Sequence, residues 1–148
     1  MDNDLKEIKL ESQNAVIRQF SNPNEDINEL TLELVNWIEE NNLTPVNHLF
    51  ARNYLENNEV IYDFGIPIEE EVEGTDEFKF IRIPEQTVLS IKHIGNYDNI
   101  DETMIKLSDY LTENNLELID APRYIYHNSP DDVNEEDLIT EIQYPLKK

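Results

Sequence analysis

The side chains best equipped for chemistry in this chain are aromatic rings and charged groups that recur in matched pairs. Trp37 is matched by Tyr110, Tyr54 by Tyr126, Arg52 by Tyr124 and Asp63 by Glu141. Aromatic faces stack on flat apolar molecules and attract cations, and a guanidinium or carboxylate beside them would orient a polar end. The set therefore describes a small-molecule pocket, with Trp37, Tyr54, Tyr110, Tyr124 and Tyr126 stacking on the ligand and Arg52 or Glu141 orienting it. Trp37 and Tyr110 sit on apolar helix faces, where a core role competes with a pocket role. Asp63 and Glu141 alternate with the apolar positions Tyr62, Phe64, Ile142 and Tyr144. They face solvent on that reading, or one of them supplies an acid. In an enzyme, Glu141 is the carboxylate available as general acid or base.

Other chemistries lack their parts. The chain has no cysteine and three glycines, which excludes thiolate chemistry, disulfides and a phosphate-cradling loop. His48, His93 and His127 show no metal-ligand spacing, no G-x-S-x-G is present, and neither a metal nor a cofactor is expected. The 33 acidic residues against 11 basic ones leave a net charge of −22. That charge repels nucleic-acid phosphate and anionic membrane surfaces and attracts cationic ligands or a basic protein partner. The start, Met1-Asp2-Asn3-Asp4, is unlike a signal peptide, and no apolar run approaches a membrane span of ~20 residues; a soluble cytoplasmic protein is expected.

The pairs arise from an internal repeat. Trp37-Ile-Glu-Glu-Asn-Asn-Leu43 returns 73 residues later as Tyr110-Leu-Thr-Glu-Asn-Asn-Leu116, and seven of the 19 aligned pairs from Glu25/Asp98 onward are identical. Such a repeat fixes architecture before any propensity argument. Residues 14–20 read as a strand, and Asn22-Pro23 or Asp26 with Glu29 as a helix entry. Ile27, Leu30, Leu34, Trp37 and Ile38 form a helical apolar face, copied as Ile100, Met104, Leu107, Tyr110 and Leu111. Asn41-Asn42 and Asn114-Asn115 end the helices, because asparagine tolerates the left-handed conformation. Strands are expected over 45–54 and 59–68, with residues 55–58 as the hairpin loop, and in the second copy over 87–94, 122–127 and 138–146. The closing strands align at an offset of 78. Each unit is strand–helix–strand–strand, with pseudo-repeats 14–68 and 78–146 in one 148-residue domain. Residues 69–77, rich in Glu, read as an exposed acidic linker. Asp131 to Asp137 form a second acidic cluster.

Three strings carry a family resemblance. His93-Ile-Gly95-Asn-Tyr97 resembles the H-x-G-x-Y start of GyrI-like domains, the effector-binding domains also found in AraC-type and MerR-type regulators. Asp63-Phe-Gly-Ile-Pro-Ile68 resembles the family's acidic residue before G-[VI]-P-[VI], and Thr140-Glu-Ile-Gln-Tyr-Pro-Leu146 its T-E-I-x-x-P-[VL]. The resemblance spans about residues 14–148. It implies an α+β fold in which duplicated strand–helix–strand–strand units form one antiparallel sheet with two helices on one face, and a cleft between the halves that receives aromatic or amphipathic small molecules. In the family's R-E-x-Y string, Tyr124 stands where glutamate is expected. A cleft flanked by Arg52 and Tyr124 would suit a neutral or anionic aromatic ligand better than a bare cation.

The expected function is a stand-alone GyrI-like protein that binds an aromatic small molecule, more a binder than an enzyme, with no segment left for DNA-binding helices. The resemblance also implies two alternatives. One is a hydrolase of the family's cyclopropyl-hydrolase branch using Glu141. The other is an acidic interaction protein occupying a basic surface such as that of DNA gyrase.

Overall fold

In a computed structural model, residues 5–21, 27–129 and 132–147 are described; the helix-entry cluster Asn22 to Asp26 and Asp131 lie outside them. The chain divides into two compact units, residues 11–85 and residues 86–148 together with 1–10.

The first unit contains β2 (Gln13–Phe20), α1 (Ile27–Glu40), β3 (Phe50–Glu56), β4 (Glu59–Ile68) and β5 (Lys79–Ile83), hydrogen-bonded in the order β3-β4-β2-β5. The second contains β1 (Lys6–Leu10), β6 (Gln86–Ile94), α2 (Ile100–Glu113), β7 (Arg123–Tyr126) and β8 (Ile139–Leu146), in the order β1-β6-β8-β7. The pairings within each unit are antiparallel. Each unit is thus strand–helix–strand–strand plus one edge strand. The two helices begin and end 73 residues apart, as the repeat requires.

Each helix closes its own core. Leu34 and Ile38 of α1 pack on Val16, Ile66 and Ile68. Leu107 of α2 packs on Leu89, Ile91, Ile142, Tyr144 and Leu146. Both helices end on a left-handed asparagine, Asn42 and Asn115, each at φ 55°. The following leucine amide turns back, Leu43 N–H to the Ile38 carbonyl and Leu116 N–H to the Leu111 carbonyl. These bonds satisfy carbonyls that a helix end would otherwise leave open.

Several boundaries differ from expectation. β3 begins at Phe50 rather than Pro45, because residues 45–46 bond the end of β4 instead, through the Pro45–Ile68 bridge and Val46 N–H to the Pro67 carbonyl. The hairpin loop shrinks to Asn57-Asn58, both at positive φ, as a two-residue turn between twisted strands demands. The strand that starts after Phe78 pairs with β2, from Ile17–Lys79 to Gln13–Ile83, so its bonds lie with the first copy. Residues 6–10, for which no strand was expected, pair with β6 in the corresponding place.

The acidic stretch 69–77 is laid down rather than left loose. The Asn14 amide donates to the Glu69 and Glu70 carbonyls, the Thr44 amide and hydroxyl donate to the Glu70 carboxylate, and Arg18 pairs with Glu77. The two Thr44 bonds hold the Glu70 carboxyl below its ordinary pKa. Among the described residues no helix is long and apolar enough to cross a membrane.

Candidate functional site

Strand register decides which side chains meet. Tyr124 is opposite Ile142 and Tyr126 opposite Thr140, and Ile91 and His93 are opposite the same two residues from the other side. All six share the face covered by α2: Tyr124 packs on that core, and its hydroxyl donates to Met104 Sδ at 3.8 Å. Tyr97, in the 3-10 turn Tyr97–Asn99, sets its ring edge-on to Tyr126, with centroids 6.1 Å apart and planes at 73°. Three tyrosines therefore converge on the α2 face, and Tyr97 remains 37% exposed.

His93 places the turn that carries Tyr97. Its Nε2 lies 2.9 Å from the Asn96 carbonyl and its Nδ1 2.7 Å from Thr103 Oγ1. A carbonyl only accepts, so Nε2 carries the proton and, in the neutral ring, Nδ1 accepts from the Thr103 hydroxyl. One buried imidazole thereby ties β6, the turn and α2 together. Gly95 supplies the turn's φ of 124°, a region closed to most side chains.

The phenols are shifted together. Burial, then the neighbouring Tyr97 and Tyr124, push the Tyr126 hydroxyl up to about 12. Burial raises Tyr97, and burial followed by Tyr144 and the Asp101 carboxylate raises Tyr124. All three stay neutral, apolar-bodied rings at neutral pH, with a carboxylate within electrostatic reach of Tyr124.

Thr140, between His93 and Tyr126, is 0% exposed, and its Oγ1 has no hydrogen-bond partner among the described residues. A buried hydroxyl without a partner costs about 1–3 kcal/mol. Thr140→Val, which keeps the shape, should raise unfolding free energy in urea by about 1 kcal/mol; a drop of that size would mean the hydroxyl is bonded in the native state.

The expected pairing of Arg52 with Tyr124 fails by one residue. Arg52 is opposite Asp63, whereas Tyr124 is opposite Ile142. With β4 and β8 offset by 78, the counterpart of Tyr124 is Ala51, that of Tyr126 is Asn53, and that of Arg52 is Ile125. A one-residue slip moves a side chain to the other face of a sheet. Arg52 and Tyr54 accordingly lie on the face of their sheet away from α1.

There they join Asp63, which is fully buried rather than facing solvent. Arg52 Nε donates to Asp63 Oδ2 at 2.9 Å, and Gln19 Nε2 donates to Asp63 Oδ1 and to the Tyr54 hydroxyl, each at 2.9 Å. Burial and then the Asp63 charge raise the Tyr54 phenol. Gly65 in the D-F-G string is explained here, since a Cβ would lie 2.6 Å from the Phe50 ring.

Glu141 is the matching hub in the second unit, on the face away from α2. It accepts from Ser90 Oγ at 2.8 Å, Gln143 Nε2 at 2.8 Å and His127 Nε2 at 2.9 Å. Burial pushes its carboxyl up, but the bonds from Gln143, Ser90 and His127 outweigh it and hold the pKa below the ordinary 4.5. A depressed carboxyl contributes stability that is present above its unfolded pKa and lost as pH falls through the folded value. Glu141→Gln should therefore cost stability at pH 7, and its deficit should shrink as pH falls below about 4.5; a pH-independent deficit in urea melts would contradict this.

The remaining pair serves each core. Trp37 stacks on Phe78, with centroids 5.2 Å apart, and the Arg18 guanidinium lies 5.1 Å from the centre of the Phe78 ring. Tyr110 packs on the α2 core. Of the sequence-predicted residues, then, Tyr124 and Tyr126 share a face, Arg52 and Tyr54 share a polar network, and Glu141 anchors another. Tyr97, visible in H-x-G-x-Y, is a further tyrosine that the structure sets beside Tyr126. The partners of Glu141 come from strands whose register the sequence does not disclose. No group of three or more metal-ligating side chains occurs among the described residues.

A family model described as a GyrI-like small molecule binding domain matches residues 49–147. No curated protein sequence matches the chain. Among solved structures, the EcmrR C-terminal domain is similar at 21% identity, covering 97% of each chain with a TM-score of 0.77. A hydrolase from Listeria innocua is similar at 12% identity, covering 99% of this chain and 93% of that one, with a TM-score of 0.78. SAV2435, solved bound to tetraphenylphosphonium, is similar at 13% identity, covering 97% and 93%, with a TM-score of 0.66. At these identities the likeness is one of fold.

Proposed function

Because the chain belongs to the GyrI-like small molecule binding domain family, we propose that it binds an amphipathic aromatic compound against Tyr97, Tyr124 and Tyr126. The observation that carries this reading is the convergence of three partly accessible tyrosines on the α2 face, two from β7 and one from the turn fixed by His93. Rings held by packing lose little freedom on binding, so contact with them converts efficiently into affinity.

The charge nearby favours a ligand with a positive end. The sequence-based preference for a neutral or anionic ligand rested on Arg52 flanking Tyr124. Arg52 is instead paired with Asp63 on the face of its sheet away from α1. The acidic group that Tyr124 senses is Asp101, on the first turn of α2. Tyrosine faces attract cations by about 0.5–1 kcal/mol at exposed sites, and an adjacent carboxylate adds to that. SAV2435, a relative in fold, was solved with an aromatic cation.

The hydrolase alternative needs a carboxyl poised near neutrality. Glu141, with three donors and a depressed pKa, is built the other way. Its network suits it to hold β6, β8 and the end of β7 together. A net charge of −22 repels a phosphate backbone, so control of transcription by this chain would run through a partner.

Thermal denaturation with tetraphenylphosphonium tests the reading. At 100 times its dissociation constant the ligand should add ~2.7 kcal/mol, neutral triphenylphosphine oxide should add less, and Asp101→Asn should narrow that difference. Equal stabilisation by both compounds would remove the cation preference, and no stabilisation by either would remove the binding reading.

A further inference from the structure

Each unit has one edge strand, and the two edges are finished differently. The acidic stretch follows β5 back along its length. Glu71 pairs with Arg82 at 3.2 Å, and Thr75 N–H donates to the Phe78 carbonyl at 2.7 Å. Between them Gly74 comes so close to Phe80 that a Cβ would stand 2.6 Å from its backbone nitrogen. Val72 and Phe78 pin the stretch to the core of the unit. An edge covered in this way is closed to a further strand.

β1 has no such cover among the described residues. It ends the order β1-β6-β8-β7 and pairs with β6 alone. Residues 1–4 are too few to return along Glu7 to Leu10, since a hairpin turn itself uses about two. Every second residue of a strand paired on one side directs its N–H and C=O outward, ready for another chain. Lysines are a common guard of such an edge, and β1 carries the exposed Lys6 and Lys9. It also carries the exposed Glu7 between them, which changes what the guard repels.

Two copies meeting edge to edge antiparallel are related by a two-fold axis normal to the sheet. That axis keeps each side chain on its own face, so odd positions meet odd ones and even meet even. An axis through Glu7 sets two acids face to face, and one through Lys9 sets two lysines. An axis through Ile8 sets Glu7 of each copy opposite Lys9 of the other, twice over. Opposite charges directly across an antiparallel pair are favourable and like charges unfavourable, so charge selects this register. Glu7 and Lys9 are opposite Leu89 and Thr87, on the α2 side, whereas Ile8 is opposite the fully buried Val88 on the other. The ion pairs thus gather on one face. On the other, Ile8 meets its own counterpart, and the Lys6 stem lies over Leu10.

We propose that β1 is a self-association edge, to which a second copy of this chain adds its own β1 in the register centred on Ile8. The pairing is short, five residues a side, so the dimer is weak and reversible. The net charge of −22 on each copy opposes it until salt screens the more distant charges. The edge lies two strands away from β7, so this contact does not rest on the ligand reading.

Sedimentation equilibrium of the full chain tests it, in about 0.15 M salt, where charges beyond about 8 Å are screened. A monomer–dimer equilibrium is expected in the wild type. Glu7→Lys and Lys9→Glu, both at exposed positions, should each weaken the dimer roughly tenfold or more, because each sets like charges opposite in that register. An equimolar mixture of the two variants should dimerise again, since one then presents two lysines and the other two acids. A wild type that stays monomeric at about 1 mM overturns the proposal and leaves the edge to a strand of another protein. A dimer that neither exchange weakens overturns it by placing the contact elsewhere. Weakening without recovery in the mixture overturns the register, and the proposal with it.

Discussion

Arg52→Ala is expected to destabilise the chain by about 3 kcal/mol, more than any other exchange of a partly exposed side chain considered above. The cause is what remains behind. Asp63 is 0% exposed, and its Oδ2 accepts from Arg52 Nε at 2.9 Å. Removing one partner of a buried pair costs about 3–5 kcal/mol, because the other charge is left without compensation. The low end applies because Gln19 still donates to Oδ1 and Arg52 is partly solvated. Joint replacement by leucines, Arg52→Leu with Asp63→Leu, should recover at least half of the loss, since burying two apolar groups carries no unpaired charge. Urea midpoints of the single and double variants check this. A single-variant loss below about 1 kcal/mol, the range of exposed ion pairs, would show that Asp63 reaches solvent.

Alkali should produce the second large effect. The Tyr126 phenol is pushed from the ordinary 10.0 up to about 12. A group whose pKa is raised by folding contributes stability that is fully present below the unfolded value and lost as pH rises through the folded one. The window therefore runs from pH 10 to 12. Two pKa units correspond to about 2.7 kcal/mol, and about 2 is expected because the ring is not wholly buried. Tyr97 and Tyr124 shift in the same direction and steepen the loss. Tyr126→Phe should flatten the stability profile over that window, and ultraviolet titration of the phenols should show one fewer late ionisation. An unchanged profile would mean that Tyr126 ionises as if exposed.

Local rules and the repeat exposed much of the fold. The helical spacing of Ile27, Leu30, Leu34 and Ile38 and the asparagine ends placed both helices, because capping and amphipathicity are written within one segment. β4 was bounded correctly at Glu59 and Ile68 for the same reason. Pairing is not local. Lys6 to Leu10 carry no strand signature and become a strand only against β6. The segment after Phe78 adjoins the second copy in sequence, yet bonds to the first.

The site was harder to read for one geometric reason. Aligning Arg52 with Tyr124 assumed an offset of 72 in β3 and β7, where the structure keeps the helices' 73. That single residue moves Arg52 to the face away from the helix, so the expectation of a neutral or anionic ligand loses the Arg52–Tyr124 pairing it rested on. Asp63 and Glu141 were placed on the correct face, opposite the apolar positions. That Asp63 is a buried hub and Glu141 a part-buried one depends on Gln19, Ser90 and Gln143, donors that only the register brings near.

Isothermal titration of tetraphenylphosphonium into three proteins tests the central claim most directly: the wild type, Tyr124→Leu/Tyr126→Leu, and Glu141→Gln with its fold checked by circular dichroism. Saturable binding is expected in the wild type, a loss of at least tenfold in the double-tyrosine variant, about 1.4 kcal/mol, and wild-type affinity in Glu141→Gln. Binding retained without the two tyrosines but lost with Glu141→Gln would place the ligand on the opposite face and contradict the account.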